Sequence, residues 1–522
     1  MTPREERLDR ARDGECWDLV VIGGGATGLG TALDAVARGY RTLLLEAHDF
    51  AKGTSSRSTK LIHGGVRYLA GGQVGLVREA LRERGRLLAN APHLVHDLAF
   101  LIPAYHWWDR PYYGLGLWLY DRLAGKAALG PSHQVARDEA ERLAPSIRRE
   151  GLRGGIIYHD AQFDDARLAI TLARTIDDLG GTALNGVAVI GLVKSAAGTV
   201  RGVRVRDEES GEDWEVSARG VVNATGVFTD AVRRLDSSAA APLVTPSQGS
   251  HLVLDRSFFP GSTAVLIPKT ADGRVLFMIP WLDRVLVGTT ETPVDSTPIE
   301  PRPLAEEIDF LLDHARRYLA RPPSAADVLS VYAGLRPLIA GHSGGKARTA
   351  SLSREHTVVV SDSGLVTITG GKWTTYRAMA ESAVDLAAKT AGLPARACPT
   401  ANLRLHGWSP TLDPGPFPEY GSDAVELSRL MTERPALGER LHPRLPYLAV
   451  EVVWAARKES ARTVEDVLAR RTRALFLDAR ASAEIAPLVA SMLAEELGRD
   501  DQWAHAQVSS FQALAAGYLI TN

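Results

Sequence analysis

The feature that most constrains this chain is a glycine-rich turn between a short apolar strand and a helix. The segment DLVVIG is an apolar run that ends in glycine, and this predicts a buried strand. The residues after it, through Tyr40, have the apolar spacing of a helix, and RTLLLEA predicts a second buried strand. A strand, a helix and a strand in this order form the crossover unit of a parallel, doubly wound sheet.

Three glycines in this turn have the spacing of a dinucleotide-binding fingerprint. Gly23, Gly25 and Gly28 form GxGxxG directly after the strand, so that the backbone can approach a pyrophosphate and the helix N-terminus offers it free N–H groups. Glu46 ends the next strand, where a carboxylate can accept hydrogen bonds from ribose hydroxyls and would repel the 2′-phosphate of NADP. The spacing alone does not separate FAD from NAD.

Two later segments favour FAD. The segment GVVNATG, which contains Ala224, Thr225 and Gly226, is similar to the second dinucleotide-contact strand of flavoproteins. TITGGKWTTYR predicts a strand, a turn at Gly370 and Gly371, and the start of a helix. The positive end of that helix could stabilise an anionic reduced flavin.

Composition excludes several other classes of protein. A chain of 522 residues is long enough for two or three domains. Its formal net charge of -2 disfavours a nucleic-acid binder, and its two cysteines, Cys16 and Cys398, disfavour a disulfide framework. We find no apolar run of about 18 residues, no signal-peptide core and no metal-binding motif. We therefore expect no metal, and a cytoplasmic protein that is soluble or peripherally attached to a membrane.

The strand and helix patterns change along the chain. Strand-like segments between about residues 245 and 330 predict an antiparallel sheet, and the chain after Pro399 has helical patterns up to its end. Thr463 precedes Asp466 by three residues, which predicts the start of a helix. A domain boundary is expected near residue 400.

Several motifs together resemble a known family. The segment KGTSSRSTKLIHGGVRYL at 52–69 closely resembles a signature of the FAD-dependent, quinone-linked glycerol-3-phosphate dehydrogenases. GSHLVL, FMIPW, VGTTE, AGLRPL, SREHTV and TGGKWTTYR follow in the order of that family, and ARTVEDVLARRTRALFLD resembles its C-terminal helical domain. The resemblance extends from about residue 17 to about residue 500.

The resemblance implies a fold of the α/β class (α+β overall) with three parts. These are a glutathione-reductase-like FAD domain with two dinucleotide-contact regions, an antiparallel-sheet substrate domain and an all-helical C-terminal cap. The expected ranges are 17–95, 150–245 and 330–395 for the FAD domain, 96–149 and 246–329 for the substrate domain, and 400–522 for the cap.

The resemblance also implies the activity and the partners. The expected reaction oxidises sn-glycerol 3-phosphate to dihydroxyacetone phosphate, with hydride transfer from C2 to FAD and electron transfer to a membrane quinone. The family implies peripheral attachment to the inner face of the cell membrane and a homo-oligomer. A glycerol-3-phosphate oxidase that uses oxygen, an amino-acid oxidase-like enzyme and a flavin-binding module without turnover are the alternatives.

The substrate's phosphate calls for cationic side chains, because Arg and Lys bind phosphate oxygens directly. By resemblance we expect substrate contacts from Arg67, Arg336, Arg354, Lys372 and Thr374. The reaction also needs a base near C2, and His251 and His63 are the candidates because histidine titrates near neutral pH. The expected catalytic residues are His251, Arg336 and Lys372.

The expected FAD contacts combine the fingerprint with the family motifs. They are Gly23, Gly25, Gly28, Glu46, Thr54, Ser55, Ser56, Ser58, Lys60, Leu61, His63, Gly64, Gly65, Ala224, Thr225, Gly226, Gly370, Gly371, Lys372, Trp373 and Thr374.

Two regions could contact a membrane. The aromatic residues between Trp107 and Tyr120 suit either a membrane interface or a packed wall of the substrate domain. Arg470, Arg471 and Arg473 could meet anionic lipid headgroups or belong to a solvated, ion-paired helix face.

Overall fold

The computed structural model describes residues 1–70, 72–268, 270, 274–339, 356–410 and 415–520, without the side chains of Arg67, Ala70 and Lys126. In these ranges the strands form an eight-stranded and a ten-stranded sheet. The strands of the first sheet are β1 (Trp17–Ile22), β2 (Thr42–Glu46), β7 (Thr182–Asn185), β8 (Val187–Lys194), β9 (Val200–Asp207), β10 (Asp213–Asn223), β17 (His356–Val360) and β18 (Val366–Gly370). Those of the second are β3 (Leu61–Ile62), β4 (Val95–Pro103), β5 (His133–Val135), β6 (Gly155–Phe163), β11 (Val244–Asp255), β12 (Ala264–Ile267), β13 (Leu276–Trp281), β14 (Arg284–Gly288), β15 (Thr292–Pro293) and β16 (Val328–Ile339).

Helices cover the sheets and make up most of the C-terminal region. They are α1 (Arg4–Arg12), α2 (Ala26–Ala37), α3 (Arg67–Ala70), α4 (Val74–Asn90), α5 (Asp109–Ala124), α6 (Arg137–Leu143), α7 (Asp165–Asp178), α8 (Thr229–Asp236), α9 (Ala305–Tyr318), α10 (Tyr376–Thr390), α11 (Ala424–Glu433), α12 (Ala449–Lys458), α13 (Ala474–Leu477), α14 (Ala479–Leu497) and α15 (Asp501–Ala516). A π-helical turn spans Asp466–Arg471.

The first sheet contains the predicted crossover unit. Strand β1 lies between β2 and β10 and is parallel to both, and β18 pairs in parallel with the far side of β10. The carboxyl ends of β1, β10 and β18 therefore share one edge of the sheet, where parallel α/β sheets place their ligands. The expected α/β fold is confirmed.

The second sheet is larger than the sequence predicted. Strand β11 pairs antiparallel with β14 and β16, and β6 pairs antiparallel with β4. Strand β6 lies inside the range 150–245 and most of β16 inside the range 330–395, both of which the sequence had placed in the FAD domain. These pairings join distant residues, such as Leu98 with Asp160, so no local pattern indicates them.

Alternating side chains place the second sheet between two apolar layers. On β11, Leu252 and Leu254 pack in the cluster that contains Leu311 of α9. Val253 packs on the other side in a cluster with Trp454 and Phe476 of the C-terminal region. The C-terminal helices therefore share a core with the second sheet. Among the described residues, no helix is long and apolar enough to cross a bilayer.

Candidate active site

A cavity of about 1470 Å³ is lined by residues of both sheets. It exceeds the roughly 300–1,000 Å³ typical of pockets for drug-sized ligands, so it has room for a large cofactor and a small substrate. Its wall includes Gly23 and Ala224 from the first sheet edge and His251 and Arg336 from the second sheet. The structure thus brings many of the predicted cofactor residues and the predicted substrate residues Arg336, Lys372 and Thr374 to one cavity.

The glycine fingerprint forms a cradle that side chains would fill. A Cβ atom at Gly28 would lie 1.8 Å from the carbonyl oxygen of Gly23, and one at Gly23, where φ is +110°, would lie 2.8 Å from the carbonyl oxygen of Ala224. Gly25 precedes the first turn of α2, so the N–H groups of that turn face this loop. The backbone packing and the free helix end fit the pyrophosphate of FAD.

Glu46 is fixed at the carboxyl end of β2. Its carboxylate accepts hydrogen bonds from the backbone N–H groups of Gly24 at 2.6 Å and His48 at 2.9 Å. Burial raises the pKa of Glu46, and these two hydrogen bonds oppose that shift. Glu46 lines the cavity, as a ribose contact requires.

The segment from Thr54 to Gly65 lies partly on the cavity wall. Thr54, Ser55, Ser58, Leu61, His63 and Gly65 line the cavity, together with Thr225, Gly226 and the Gly370–Thr374 turn. Ser56, Lys60 and Gly64 lie outside this lining. The expected FAD contacts of these three residues therefore stay predictions.

Lys60 is part of a buried ion pair. Its ammonium lies 2.6 Å from a carboxylate oxygen of Asp165 and donates to the carbonyl of Ser56 at 2.9 Å. Burial lowers the pKa of Lys60 to about 8. The same carboxylate accepts from the hydroxyl of Ser58 at 2.7 Å, so Asp165 orients a serine on the cavity wall. The sequence did not indicate Asp165, because its partners lie more than a hundred residues away.

The turn after β18 carries Lys372 and Thr374. Gly370 and Gly371 have φ values of +83° and +71°, which favour glycine. The Lys372 ammonium lies 3.9 Å from the centre of the Tyr68 ring. The indole of Trp373 donates to the carbonyl of Ser55 at 2.9 Å. These contacts connect the turn to residues 54–68. Helix α10 follows the turn in the sequence.

Arg336 is held across the second sheet. Its guanidinium donates to the carbonyl of Gln248 at 3.2 Å, to the hydroxyl of Thr289 at 3.1 Å and to the carbonyl of Thr290 at 3.2 Å. Gly249 lies beside it, and a Cβ there would lie 2.3 Å from Nη2. The sequence did not single out Gly249, Thr289 or Thr290 for this role.

His251 lies on β11 and is 2% exposed. Its ring stacks on Tyr332 with centroids 4.7 Å apart, and its Nε2 lies 3.0 Å from the hydroxyl oxygen of Thr59. Burial, with the cations Lys60 and Arg336 nearby, lowers the pKa of His251 well below its ordinary value. The imidazole is therefore neutral at pH 7 and retains a lone pair.

Two expected phosphate ligands cannot be placed. Arg354 lies outside the described residues, and the side chain of Arg67 is not described. Within the described ranges, no group of three or more His, Cys, Asp or Glu residues has the arrangement of a metal site.

The two candidate membrane regions differ in exposure. Arg470, Arg471 and Arg473 are only 1–2% exposed and form buried ion pairs with acidic side chains, so both expectations, a lipid contact and a solvated helix face, are wrong for these three residues. The aromatic region around α5 is exposed instead. Trp107 is 74% exposed, and the other exposed apolar side chains there are Trp108, Tyr112, Leu115, Trp118 and Leu119. Most of this stretch therefore does not form a packed wall.

Two family descriptions match consecutive parts of the chain. Residues 18–377 match the FAD dependent oxidoreductase family, and residues 366–504 match the C-terminal domain of alpha-glycerophosphate oxidase. The first match contains every residue named above as lining the cavity. The cofactor of this fold is FAD.

Relatives match the chain over nearly its whole length. The mitochondrial glycerol-3-phosphate dehydrogenase of Homo sapiens is 42% identical over 95% of this chain and 73% of its own, and that of Arabidopsis thaliana is 40% identical over 94% and 85%. The glycerol-3-phosphate dehydrogenase of Bacillus halodurans, solved with FAD, superposes with a TM-score of 0.81 at 30% identity over 99% of this chain and 97% of its own. The L-alpha-glycerophosphate oxidase of Mycoplasma pneumoniae shares the fold, with a TM-score of 0.56 at 17% identity over 71% of this chain and 94% of its own. The chain therefore belongs to the family of FAD-dependent glycerol-3-phosphate dehydrogenases.

Proposed function

We propose that this chain oxidises sn-glycerol 3-phosphate to dihydroxyacetone phosphate. The observation that carries the proposal is a single cavity, which joins a dinucleotide cradle at Gly23–Gly28 to the side chains of His251, Arg336 and Lys372. A small dianionic alcohol needs cations for its phosphate and a proton acceptor for its hydroxyl. The names of the relatives support the same substrate.

Lys372 and Arg336 are the proposed cationic residues of the substrate site. Lys372 follows two glycines with positive φ, and the turn that they form fixes the position of the Lys372 backbone. Arg336 is held by three hydrogen bonds, which keep its guanidinium in place before the substrate arrives. Thr374 lies beside His63, where its hydroxyl donates to the His63 carbonyl at 3.4 Å.

His251 is the proposed acceptor of the proton from the C2 hydroxyl. Its lowered pKa keeps the ring unprotonated, and Tyr332 and Thr59 hold it in one orientation. A bound phosphate dianion would offset the charges of Arg336 and Lys60 and raise the pKa of His251, which favours the transfer. FAD, when bound, supplies the two-electron acceptor for the hydride from C2.

Anaerobic absorbance of the purified flavoprotein tests this function. We expect sn-glycerol 3-phosphate to bleach the flavin, and glycerol or sn-glycerol 1-phosphate at the same concentration to leave it oxidised. A flavin that stays oxidised with sn-glycerol 3-phosphate in folded protein would contradict the substrate. Reoxidation of the bleached protein by a soluble quinone analogue and by oxygen, measured in parallel, separates a dehydrogenase from an oxidase.

We further propose that the face of α5 contacts a lipid bilayer and that a membrane quinone accepts the electrons. Five exposed residues on or directly before this helix, Trp108, Tyr112, Leu115, Trp118 and Leu119, also line the cavity. An apolar acceptor could therefore pass from the bilayer to the cavity along this face. The guanidinium of Arg122 lies 5.0 Å from the centre of the Trp118 ring, and aromatic residues beside basic ones suit the headgroup region. The contact would be with the inner face of the cell membrane.

Flotation with anionic vesicles tests the α5 surface. We expect the wild-type protein to float with the vesicles and a Trp107→Ser, Trp118→Ser variant to stay at the bottom, while sn-glycerol 3-phosphate still bleaches its flavin. Val425→Ser, which removes an equally exposed apolar side chain from α11, is the control and should float. A double variant that floats like the wild type would rule out this surface. Light scattering on the purified protein without vesicles tests the homo-oligomer that the family resemblance implies.

A further inference from the structure

The loop between β2 and β3, residues 47–60, has two different sides. One side lines the cavity through Thr54 and Ser55 among others, and Lys52 both lines the cavity and pairs with Glu465. The other side contacts the C-terminal segment 465–473, which follows α12 and contains the π-helical turn. Asp49 belongs to the second side and is 3% exposed. It lies three residues after Glu46, at the end of the cavity where the dinucleotide cradle is.

Two consecutive arginines of the C-terminal segment bind the carboxylate of Asp49. Arg471 forms a bidentate pair with it, with nitrogen–oxygen distances of 2.6 and 2.8 Å. The Nε of Arg470 lies 2.5 Å from the same carboxylate. Asn185 adds an amide hydrogen bond at 3.1 Å. All these groups are buried, so Asp49 has lost its hydrogen bonds to water. The hydrogen bonds from the two arginines replace most of them.

The π-helical turn explains how both arginines reach one carboxylate. Consecutive side chains on an α-helix diverge by about 100° and do not face one partner. Between Asp466 and Arg471 the turn is wider, and the N–H of Thr472 donates to the carbonyl of Val467 at 2.8 Å, five residues back. Such turns are rare and occur often at functional sites. Thr463 and Asp466 fix its start by reciprocal hydrogen bonds at 3.0 and 3.1 Å.

The same segment holds the loop at two further points. Glu465 accepts a hydrogen bond from the ammonium of Lys52 at 2.7 Å. Arg473 donates to the carbonyl of Ser56 at 2.7 Å. Together with Asp49, these contacts fasten the loop on its outer side at residues 49, 52 and 56, so its inner side cannot move away from the cavity without breaking buried ion pairs.

We propose that Asp49, Arg470 and Arg471 are positioning residues for FAD, and that through them the C-terminal segment holds the 47–60 loop in the form that binds the dinucleotide. The affinity for FAD then depends on a part of the chain that does not line the cavity. The proposal rests on the FAD cofactor of the proposed function and is independent of the substrate.

The test compares variants of two carboxylate residues, Asp49 and Glu209. Each of them pairs with arginines of the C-terminal region. Asp49→Asn keeps the size of the side chain but removes the charge that faces the arginines. Glu209→Gln is the control, because Glu209 pairs with Arg462 and Arg499 at 2.7 Å each and with Arg4 at 3.4 Å, and none of these arginines belongs to the loop. Apoprotein of each full-length variant is titrated with FAD, flavin fluorescence gives the dissociation constant, and the melting temperature of the apoprotein is recorded beside it.

We expect Asp49→Asn to weaken FAD binding by about tenfold or more and Glu209→Gln to change it by less than about twofold. At saturating FAD, the KM of Asp49→Asn for sn-glycerol 3-phosphate should equal that of the wild type, because the substrate residues are untouched. Arg471→Lys keeps the charge but not the bidentate geometry, so it should weaken FAD binding to an intermediate degree.

Three results would overturn the proposal. The first is wild-type FAD affinity in Asp49→Asn, with a lower melting temperature as the only change. The second is a loss of FAD affinity in Glu209→Gln that equals the loss in Asp49→Asn. If Asp49→Asn does not fold, the third is unchanged FAD affinity in Arg471→Lys. A wild-type protein whose flavin is not bleached by sn-glycerol 3-phosphate would contradict the proposed substrate but leave this result intact.

Discussion

Gly249 lies beside the guanidinium of Arg336, where an added Cβ atom would collide with it. A Cβ at this position would lie 2.3 Å from Nη2 and 2.6 Å from Cζ of Arg336. We expect Gly249→Ala to displace the guanidinium and to lower kcat/KM by about a hundredfold, since a misplacement of about 1 Å has effects of this size. Stopped-flow reduction of the flavin measures this.

The FAD content of Gly249→Ala should stay at the wild-type level, because the cradle lies on the other sheet. Gly75→Ala is the control, since nothing lies within 4 Å of the added methyl group there. Unchanged kcat/KM in Gly249→Ala would show that Arg336 has no part in the reaction.

The low pKa of His251 predicts the acid limb of the pH profile of activity, that is, the pH range in which activity falls on acidification. A base must be unprotonated, so activity falls as the pH drops through the pKa of His251. In the pH profile of kcat/KM, which reports the substrate-free enzyme, this limb should lie below pH 6.5, because burial and the nearby cations lower the pKa of His251. We expect His251→Asn to remove the limb and to slow flavin reduction by roughly 10²–10⁴-fold.

His63 was the other candidate base, and it provides the comparison. The pH dependence of flavin reduction in His63→Asn should keep the acid limb of the wild type. If the limb disappears in His63→Asn and persists in His251→Asn, the roles are exchanged.

At the scale of whole elements, His406 connects α7 to the start of α11. Its ring nitrogens lie 2.6 Å from a carboxylate oxygen of Asp178 and 3.0 Å from one of Asp423, and Arg174 also pairs with Asp423. Burial alone would lower the pKa of His406, but the two carboxylates raise it above 6.5. The stabilisation is therefore complete below pH 6.5 and is lost as the pH rises through the raised pKa.

We expect His406→Gln to lower the free energy of unfolding by about 1 kcal/mol at pH 6 and by much less at pH 9. Denaturant titrations at the two pH values measure this difference. His505→Gln, at an exposed histidine of α15, should have no such pH dependence. If His406→Gln lowered the free energy of unfolding by the same amount at both pH values, the charged form of His406 would contribute nothing to stability.

Elements whose signals are local could be predicted from the sequence. Strand β1, helix α2 and strand β2 follow one another within thirty residues, and the structure has them in the predicted order. The glycine pair at 370–371 was likewise recognisable as a strand-to-helix turn. The sheet that β6 and β16 join could not be predicted, because their partners β4 and β11 are distant in sequence.

The same limit applies to the site. His251, Arg336 and Lys372 could be picked from motifs, and the structure places all three on the cavity wall. Lys60 belongs to an equally prominent motif but pairs with Asp165 behind the wall. Its ion-pair partner is 105 residues away, so composition and spacing carry no information about it.

At the scale of the whole molecule, one apolar core joins the second sheet to the C-terminal helices. Phe100, Tyr158 and Leu266 of the sheet belong to the same buried cluster as Trp454 and Phe476. We therefore expect the second sheet and the C-terminal helices to unfold together, although the length of the chain would allow several domains. Far-UV circular dichroism and tryptophan fluorescence in denaturant should give coincident curves. Two separated transitions would mean that the helices after residue 400 fold independently.

The strand order of the first sheet has a consequence for synthesis of the protein. Its central strand β1 leaves the ribosome before its neighbour β10, which ends at Asn223, and before β18, which ends at Gly370. At ordinary rates of translation, β1 waits on the order of half a minute for β18. A nascent chain therefore has an unfinished sheet edge during most of its elongation, and a premature stop codon before Gly370 would leave a fragment that cannot assemble the flavin site.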